Sequence, residues 1–519
     1  MPEIIEAAGR FGRACLNLLP QWTEKADKRG LDPLGIQNSG ILLYQSLMPG
    51  ISNVTLRIRY YGFYCWVAET YARRGASTDF EAWKSWVRRA EALYALVSAQ
   101  AGEGGVGGID WADRRLAEDG DIIDFAGAAD PGGAQKPYLR QSLGVFGGAY
   151  YTQMAEMDLF TLNRHGIQVA TRDLGKQAAA VFEQAIGPEL AKLLAQKIVD
   201  GRVTVPELEK LAPITPSQID SESDERSFYD KLLFAREEEC SPEGRSRADT
   251  LLLILDTARA YGDRPNPEEV RWHLFDPPSE ALPHHLEAQR LNWEAYQCQD
   301  LMQIASAALL AWAIAIINTD SLGRTLSQIH DDVMLQLSEH EEGPFTETWA
   351  DMRAATEAGD HPFRDSWNTL TSARGATEDK AVIAVKLMAG LHRRYTDRSD
   401  LAQAVARGLP KRGTAYSLRT ELDWLESAEQ ASVSERIADY VIERVVRRHS
   451  WVAMQKLRRQ RDYTFLFEQR EGRLVYLSAY RPVATTPRLA PAIQFLDDIH
   501  LLYEDGLTDM GLTVLESAL

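Results

Sequence analysis

The stretch "SNVTLRIRYYGFYCWV", residues 52–67, decides the fold class, because its apolar residues recur at helical spacing on both sides. Pro49-Gly50 makes a turn before it, and Ser52 or Asn53 can cap a helix that follows. The apolar side chains fall on two opposite stripes, Val54, Ile58, Tyr61, Cys65 and Ala68 on one and Leu56, Tyr60, Phe63, Val67 and Tyr71 on the other. A helix that is apolar all round is buried in a core. We therefore expect a helical protein with this segment inside it.

Two arginines, Arg57 and Arg59, stand within this apolar stretch. A charge buried without a partner is very costly, so each guanidinium needs a carboxylate or several backbone carbonyls. The favoured interpretation is therefore that both arginines pair inside the core. The alternative is that they face a ligand.

Length and composition are those of a globular protein. A chain of 519 residues with 45% hydrophobic and 25% charged residues is long enough for about two to four domains. The formal net charge of −18 means that the surface as a whole repels polyanions. A nucleic-acid site would have to be a local basic patch.

Three further features favour a cytoplasmic protein of bacterial type, with no membrane association expected. The four cysteines, Cys15, Cys65, Cys240 and Cys298, are far apart and suggest neither a disulfide framework nor a zinc knuckle. The N-terminus carries Glu3 and Glu6 and has no long apolar run, unlike a signal peptide. The longest apolar run, "IASAALLAWAIAII" at 304–317, has 14 residues, short of the roughly 20 that a membrane span needs, and predicts a buried core helix.

Helical spacing runs through most of the chain and predicts a mainly α-helical, multidomain protein. The densely spaced glycines of "AGEGGVGGIDWADRRLAEDGD" predict a mobile or ligand-covering loop, and "APITPSQIDSESDER" predicts a linker. The predicted units are an N-terminal helical domain 1–100, a Gly-rich loop 101–137, a helical unit 138–211, a linker 212–226, a helical domain 227–429 and a C-terminal unit 430–519.

The C-terminal unit differs from the rest of the chain in charge and in pattern. Residues 430–519 hold 12 Lys or Arg and 12 Asp or Glu, so residues 1–429 carry the whole net charge. A long helix is followed by two β-rich runs around Arg470-Glu471-Gly472, which predict a hairpin, and by two closing helices. This order predicts a small α/β unit of winged-helix type, with the hairpin as its wing.

Basic side chains cluster on this unit. The segment between Glu443 and Asp462 contains no acid, and the hairpin adds two arginines. We predict that this set binds nucleic acid or a partner protein: Arg444, Arg447, Arg448, Lys456, Arg458, Arg459, Arg461, Arg470 and Arg473. The alternative is that these side chains pair with acids of the body or solvate one helix face.

Sequence motifs for catalysis and for metal or cofactor binding are missing. There is no G-x-x-x-x-G-K-[ST] phosphate loop, no G-x-S-x-G turn and no H-E-x-x-H pair. Adjacent pairs such as His284-His285 point about 100° apart on a helix and rarely share an ion. We therefore expect no metal and no cofactor.

Residues 31–74, "LDPLGIQNSGILLYQSLMPGISNVTLRIRYYGFYCWVAETYARR", resemble a block near the start of large uncharacterised helical proteins of bacterial phage-defence islands. The resemblance covers under a tenth of the chain. It implies membership of a multi-gene defence system and therefore a partner subunit.

These observations lead to an expected function of a non-catalytic scaffold or sensor subunit in a bacterial anti-phage defence or nucleic-acid-directed complex. The acidic helical body would dock other protein subunits, and the basic C-terminal helix would contact nucleic acid or a partner. One alternative is an enzyme, a nuclease or a nucleotide-processing activity, with the glycine loop as its lid. Another is a homo-oligomeric structural protein.

Overall fold

Helices make up most of the chain over the residues that the computed structural model describes, which are 32–75, 77–118, 120–130, 132, 136–235, 241–276, 281–340, 345–356, 362–409 and 416–519. The mainly helical fold class is therefore confirmed. Strands within these ranges form short antiparallel pairs. The predictions for residues 1–31, for Cys15 and for Cys240 lie outside the described residues.

The N-terminal part contains the quoted stretch. Its elements are α1 (Gln37–Leu47), α2 (Arg59–Arg73), α3 (Phe80–Gln100), α4 (Ile109–Glu118), β1 (Ile122–Asp124) and α5 (Ala126–Ala129). Asp79 caps α3 by accepting a hydrogen bond from the Glu81 backbone N–H, as expected of a residue in that position. Most of α2 is buried, as its two apolar stripes predict.

The start of α2 corrects the sequence prediction, because the helix begins at Arg59 and not near Asn53. Ser52 and Thr55 form a local turn, in which the Thr55 N–H donates to the Ser52 carbonyl and the Thr55 hydroxyl accepts from the Ser52 N–H. Asp498, far away in sequence, accepts the Ile58 N–H at 3.1 Å and so caps the helix start. Arg57 therefore precedes the helix.

The segment 101–137 is more regular than its glycines suggest. It contains α4, β1 and α5, and β1 pairs with a strand some 80 residues later through Ile123 opposite Val203. Trp111 and Ala112 of α4 are buried. Tertiary packing thus gives helical structure to a segment that was predicted to be irregular.

The next part packs on α2 and α3. Its elements are a π-helical turn (Phe146–Tyr150), α6 (Tyr151–Glu156), β2 (Phe160–Leu162), β3 (Gln168–Ala170), α7 (Leu174–Ile186), α8 (Pro188–Asp200), β4 (Arg202–Thr204), α9 (Val205–Leu211), a 3₁₀ turn (Ala212–Ile214) and α10 (Asp224–Phe234). Gly201 ends α8 in the left-handed conformation, which glycine adopts without steric cost. The segment 212–226, predicted as a linker, buries Thr215, Ile219 and Glu225.

A long central helix dominates the middle of the chain. The elements are α11 (Pro242–Tyr261), α12 (Pro267–Phe275), α13 (His284–Ile317), α14 (Leu326–Glu339), α15 (Trp349–Ala355), α16 (Phe363–Thr371), α17 (Thr377–Asp397) and α18 (Ser399–Gly408). The helix α13 contains the apolar run 304–317, which is buried almost throughout, as predicted. Among the described helices it is the one long and apolar enough to cross a membrane, and 94% of its most apolar 18-residue stretch is buried inside the protein.

The C-terminal part has the predicted order of helix, hairpin and helices. Its elements are α19 (Leu418–Glu426), α20 (Val433–Tyr440), a π-helical segment (Val441–Val446), α21 (Arg447–Gln460), β5 (Phe467–Arg470), β6 (Arg473–Tyr476), α22 (Leu489–Asp498), β7 (Leu502–Tyr503), β8 (Gly506–Leu507) and α23 (Asp509–Glu516). Glu471 and Gly472 both have positive φ, as a tight hairpin turn requires. The Thr508 side chain caps α23 by accepting a hydrogen bond from the Gly511 N–H.

The hairpin β5–β6 lies against the body. Leu474 and Arg324 exchange two backbone hydrogen bonds, of 2.7 and 3.0 Å, and the Arg473 guanidinium donates to the Gly323 carbonyl at 3.0 Å. One connected core of buried apolar side chains runs from Leu34 to Leu515. The winged-helix arrangement and the predicted unit boundaries stay predictions.

Candidate functional site

Arg59 is enclosed in the core and its donors are occupied. The guanidinium forms a bidentate pair with Glu225, at 2.9 and 3.1 Å, and its third nitrogen donates to the carbonyls of Pro213 and Thr215 at 2.7 Å. Both side chains of the ion pair are about 1% exposed or less. The pair therefore fastens α2 to the segment that leads into α10, which is the structural role favoured from sequence.

Arg57 joins three distant parts of the chain. Its Nε lies 2.9 Å from Asp498 Oδ1, and its Nη1 donates to the Gly104 carbonyl at 3.1 Å and pairs with Glu103 at 3.3 Å. Burial raises the pKa of Asp498 to about 6, although the Arg57 charge opposes that rise. This arginine holds α22 and the glycine loop against the start of α2.

The glycine loop, residues 101–108, is also bonded to the core through Gly107. The Gly107 N–H donates to the Tyr60 hydroxyl at 3.2 Å, and the Tyr138 hydroxyl donates to the Gly107 carbonyl at 2.7 Å. Glu103 also accepts a hydrogen bond from Ser217. These bonds hold the loop down on the core in this structure.

Glu91 is a buried carboxylate on α3. It accepts hydrogen bonds from the backbone N–H groups of Val145 and Phe146, at 3.0 and 2.6 Å, and from the Tyr64 hydroxyl at 3.0 Å. Burial raises its pKa to about 7, and these three donors oppose the rise. The residue holds the π-helical turn against α3.

The basic side chains of the C-terminal helix divide into an inward set and an outward set. The inward set is bonded to the body and consists of Arg444, Arg448 and Lys456. The outward set has exposed side chains and consists of Arg447, Arg458, Arg459 and Arg461. The seven cations therefore do not form one contact surface, as their sequence predicts, but two sets with different surroundings.

The inward set ties the helix to the fold. Arg444 forms a bidentate pair with buried Glu421, at 2.5 and 3.0 Å. Arg448 donates to the Leu34 carbonyl at 2.8 Å, and Lys456 donates to the Asp32 carbonyl at 2.8 Å. Removing these cations would disturb the fold, so they are unsuitable for testing a binding role.

His449 adds a neutral link between the same helix and its surroundings. Its Nδ1 lies 3.2 Å from the Pro33 carbonyl, and its Nε2 accepts the Leu466 N–H at 3.0 Å. Burial lowers the pKa of His449 to about 4. The imidazole is therefore uncharged near neutral pH, with Nδ1–H as the donor.

The outward set behaves differently from the inward set. None of these four guanidinium groups makes a hydrogen bond or an ion pair with any residue in the described part of the chain. Arg447, Trp451, Met454 and Arg458 follow one another at spacings of three and four, so they form one exposed stripe along α21. We call these four residues the basic–aromatic stripe.

A groove of about 710 Å³ lies beside the stripe, between α19 and the π-helical segment with α21. Tyr416 and Trp424 line one side, and Arg447 and Trp451 line the other. Asp423 and Glu443 also line the groove, so its charge is mixed. Aromatic side chains and the guanidinium of Arg447, which has no partner among the described residues, thus meet at one open surface.

The two hairpin arginines are less suited to binding. Arg470 is exposed but pairs with Glu468 at 2.9 Å, and Arg473 donates to the Gly323 carbonyl. Because both guanidinium groups already have partners, the hairpin arginines add little to the basic surface.

Sequence reasoning missed the aromatic members of the site. Trp451 lies one turn after Arg447, and that spacing could have revealed it as part of an exposed stripe. Tyr416 and Trp424 come from another helix region, more than 20 residues away, so no local pattern points to them. Tertiary packing alone brings them to the groove.

No protein-family model, curated protein or solved structure matches the chain, so the site is interpreted from its own geometry.

Proposed function

We propose that this protein is a non-catalytic scaffold or sensor subunit of a bacterial nucleic-acid-directed or anti-phage defence complex, which contacts nucleic acid through the outward arginines. The observation that carries the proposal is the outward set itself. Four arginines on α21 and at the residue that follows it have no partner among the described residues, although the chain has an excess of 18 negative charges.

The charge arrangement supports a polyanionic partner. Side chains that serve the fold at this helix are already paired, as in the ion pair between Arg444 and Glu421. Arg458 and Arg459 lie in the last turn of α21, where they also compensate the negative end of the helix dipole. Arg447 lies in the interior of the continuous helical run that the π-helical segment and α21 form, away from either end, so its charge gains nothing from the dipole and it is the clearest candidate for a phosphate contact.

The remaining parts of the proposal concern the unit and the complex. A winged-helix-like arrangement of α21 and the hairpin β5–β6 would bring both to the nucleic acid, with Arg470 at the hairpin turn. The acidic body would dock other protein subunits. The resemblance of residues 31–74 to proteins of phage-defence islands motivates the assignment to a defence complex.

The test is binding of the full-length protein to fluorescent single- and double-stranded DNA and RNA across a salt series. The test variant replaces the outward set, Arg447, Arg458, Arg459 and Arg461, by alanine. The matched control replaces four exposed arginines elsewhere that have no side-chain partner among the described residues, Arg114, Arg140, Arg172 and Arg374. Both variants change the net charge equally.

The proposal expects binding that weakens steeply with salt, with a logarithmic slope of up to about −3 for a single strand that contacts four arginines. The outward-set variant should lose this binding, and the control should keep it. Equal losses in both variants would mean that general charge and not this surface is responsible. Absence of binding at low salt would reject the nucleic-acid role.

A further inference from the structure

Trp451 lies at the outer edge of the groove, with Arg448 packed on one face of its ring and the rest of the side chain exposed to solvent. The Arg448 guanidinium carbon lies 3.5 Å from the Tyr416 ring centroid and 4.5 Å from the Trp451 ring centroid. Arg448 itself is 8% exposed and is fixed by its hydrogen bond to the Leu34 carbonyl. Trp451 nevertheless remains 45% exposed. The row of stacked groups therefore ends at an open aromatic surface.

The neighbours of Trp451 on the helix define what could cover that surface. Arg447 lies one turn before it and has no partner among the described residues. Met454, 44% exposed, lies one turn after it and extends the apolar area. A planar apolar group with an attached anion matches this combination, and a nucleotide has both parts.

The form of the nucleic acid follows from the geometry of stacking. In a duplex both faces of each internal base are covered by its neighbours, whereas a single strand can offer a base to an aromatic side chain. An exposed tryptophan thus adds affinity for single strands and little for duplexes. Phosphate contacts alone would not distinguish the two forms.

Acidic side chains at the groove limit the path that a strand can follow. Glu443 is exposed and lies one turn before Arg447, on the side away from Trp451. Asp423 faces the same groove from α19. Phosphates are repelled at that end, so the strand would run from Arg447 toward Arg458. That path is about 17 Å along the helix, which corresponds to about five nucleotides at the rise of a stacked strand.

We propose that Trp451 stacks on a base of single-stranded nucleic acid and that Arg447 binds an adjacent phosphate, so the basic–aromatic stripe selects single strands over duplexes. The inference rests on the proposed function and deepens it by naming the form of the ligand. A protein partner with an acidic surface is the competing occupant, because tryptophan, methionine and arginine are also common at protein interfaces.

The experiment measures the affinity of the full-length protein for a fluorescent ten-nucleotide dT strand and for a duplex of the same length. The variants are Trp451→Ala, Trp451→Phe and Arg447→Ala. The control is Tyr261→Ala, because Tyr261 is a similarly exposed aromatic residue, 47%, on a different helix. Thermal unfolding of each variant shows that the fold is retained.

Stacking predicts that Trp451→Ala weakens single-strand binding by roughly 5- to 150-fold, while duplex binding and the salt slope stay unchanged. Trp451→Phe should recover most of the loss, because an aromatic ring remains. Arg447→Ala should reduce the salt slope by roughly 0.7, and the Tyr261 control should bind as the unchanged protein does.

Two results separate failure of this inference from failure of the proposed function. If Trp451→Ala binds single strands as tightly as the unchanged protein, while the outward-set variant does not bind, the stacking role is wrong and the nucleic-acid role stands. If neither these oligonucleotides nor any of the DNA and RNA used to test the proposed function bind at low salt, both are wrong. Saturable binding of poly-glutamate in that case would assign the stripe to an acidic protein partner.

Discussion

At the scale of single residues, buried charges in this protein connect segments that are distant in sequence. Arg59 joins α2 to Glu225 and to two carbonyls before α10, and Arg57 joins Asp498 to the glycine loop. A buried ion pair is costly to form, but breaking one leaves an uncompensated charge, which destabilises strongly. Such residues are therefore sensitive to substitution without being catalytic.

Arg59→Met should destabilise the protein by about 3–5 kcal/mol, because Glu225 and the two carbonyls lose their donor in the core. Arg73→Met is the matched control, since Arg73 lies in the same helix as Arg59 but forms an exposed pair with Glu183 of α7. That substitution should cost about 1 kcal/mol or less. Urea unfolding of both variants measures the difference. Equal effects would show that the buried pair contributes nothing beyond an exposed one.

Glu91 should make the stability depend on pH. Burial raises its pKa in the folded chain from 4.5 to about 7, so the folded state holds the proton more tightly than the unfolded state. The stabilising contribution is complete below pH about 4.5 and is lost as the pH rises through about 7. The loss is about 3 kcal/mol at most.

The test compares Glu91→Gln with the unchanged protein by urea unfolding at several pH values. The glutamine cannot titrate, so the variant should become relatively more stable as the pH rises from 5 to 8. Asp498, with a pKa of about 6, remains in both proteins and cancels in the comparison. A difference that does not change with pH would show that Glu91 is ionised throughout this range.

At the scale of elements, sequence patterns predict those helix ends and turns that are formed by hydrogen bonds between neighbouring residues. The turn at Gly472 is formed by neighbours in sequence and was predicted, and the caps at Asp79 and Thr508 are equally local. The start of α2 was missed because Asp498 bonds the Ile58 N–H. The binding surface predicted from sequence lacked Tyr416 for the same reason, since Tyr416 is brought to Arg448 only by the fold.

Glycine in two helices provides a test of close packing. An added Cβ at Gly62 of α2 would clash with the Tyr229 hydroxyl and lie 3.2 Å from Phe182 Cβ. At Gly40 of α1 the nearest atom is Gln299 Cγ, at 3.5 Å, which is ordinary contact. Gly62 therefore allows the approach of α2 to α7 and α10, whereas Gly40 has no such role.

Gly62→Ala should destabilise the protein by about 1–3 kcal/mol through overpacking. Gly40→Ala should instead stabilise it by up to about 1 kcal/mol, because alanine favours the helix more than glycine does. The midpoints of thermal unfolding should therefore move in opposite directions. A stabilising effect at Gly62 would indicate that the contact between these helices is loose.

At the scale of the whole molecule, the electrically neutral C-terminal segment is joined to an acidic body by polar bonds as well as by the shared core. Tyr440 bonds Ser306 of the central helix at 2.9 Å, and the Thr485 N–H donates to Asp300 at 2.9 Å. The separation in charge therefore does not coincide with a separation in packing. The basic surface is presented by a helix whose inner face belongs to the common core.

A fragment of residues 430–519 should therefore fail to fold on its own, although its sequence pattern predicts a separate unit. Cutting it out exposes the inner faces of α21 and α22 and leaves buried Asp498 without Arg57. We expect a poorly dispersed ¹H–¹⁵N spectrum for the fragment, and recovery of dispersion when it is co-expressed with residues 1–429. A dispersed spectrum with cooperative unfolding of the isolated fragment would contradict this. It would show instead that the basic helix belongs to an autonomous domain docked on the body, which could then carry the nucleic-acid contact by itself.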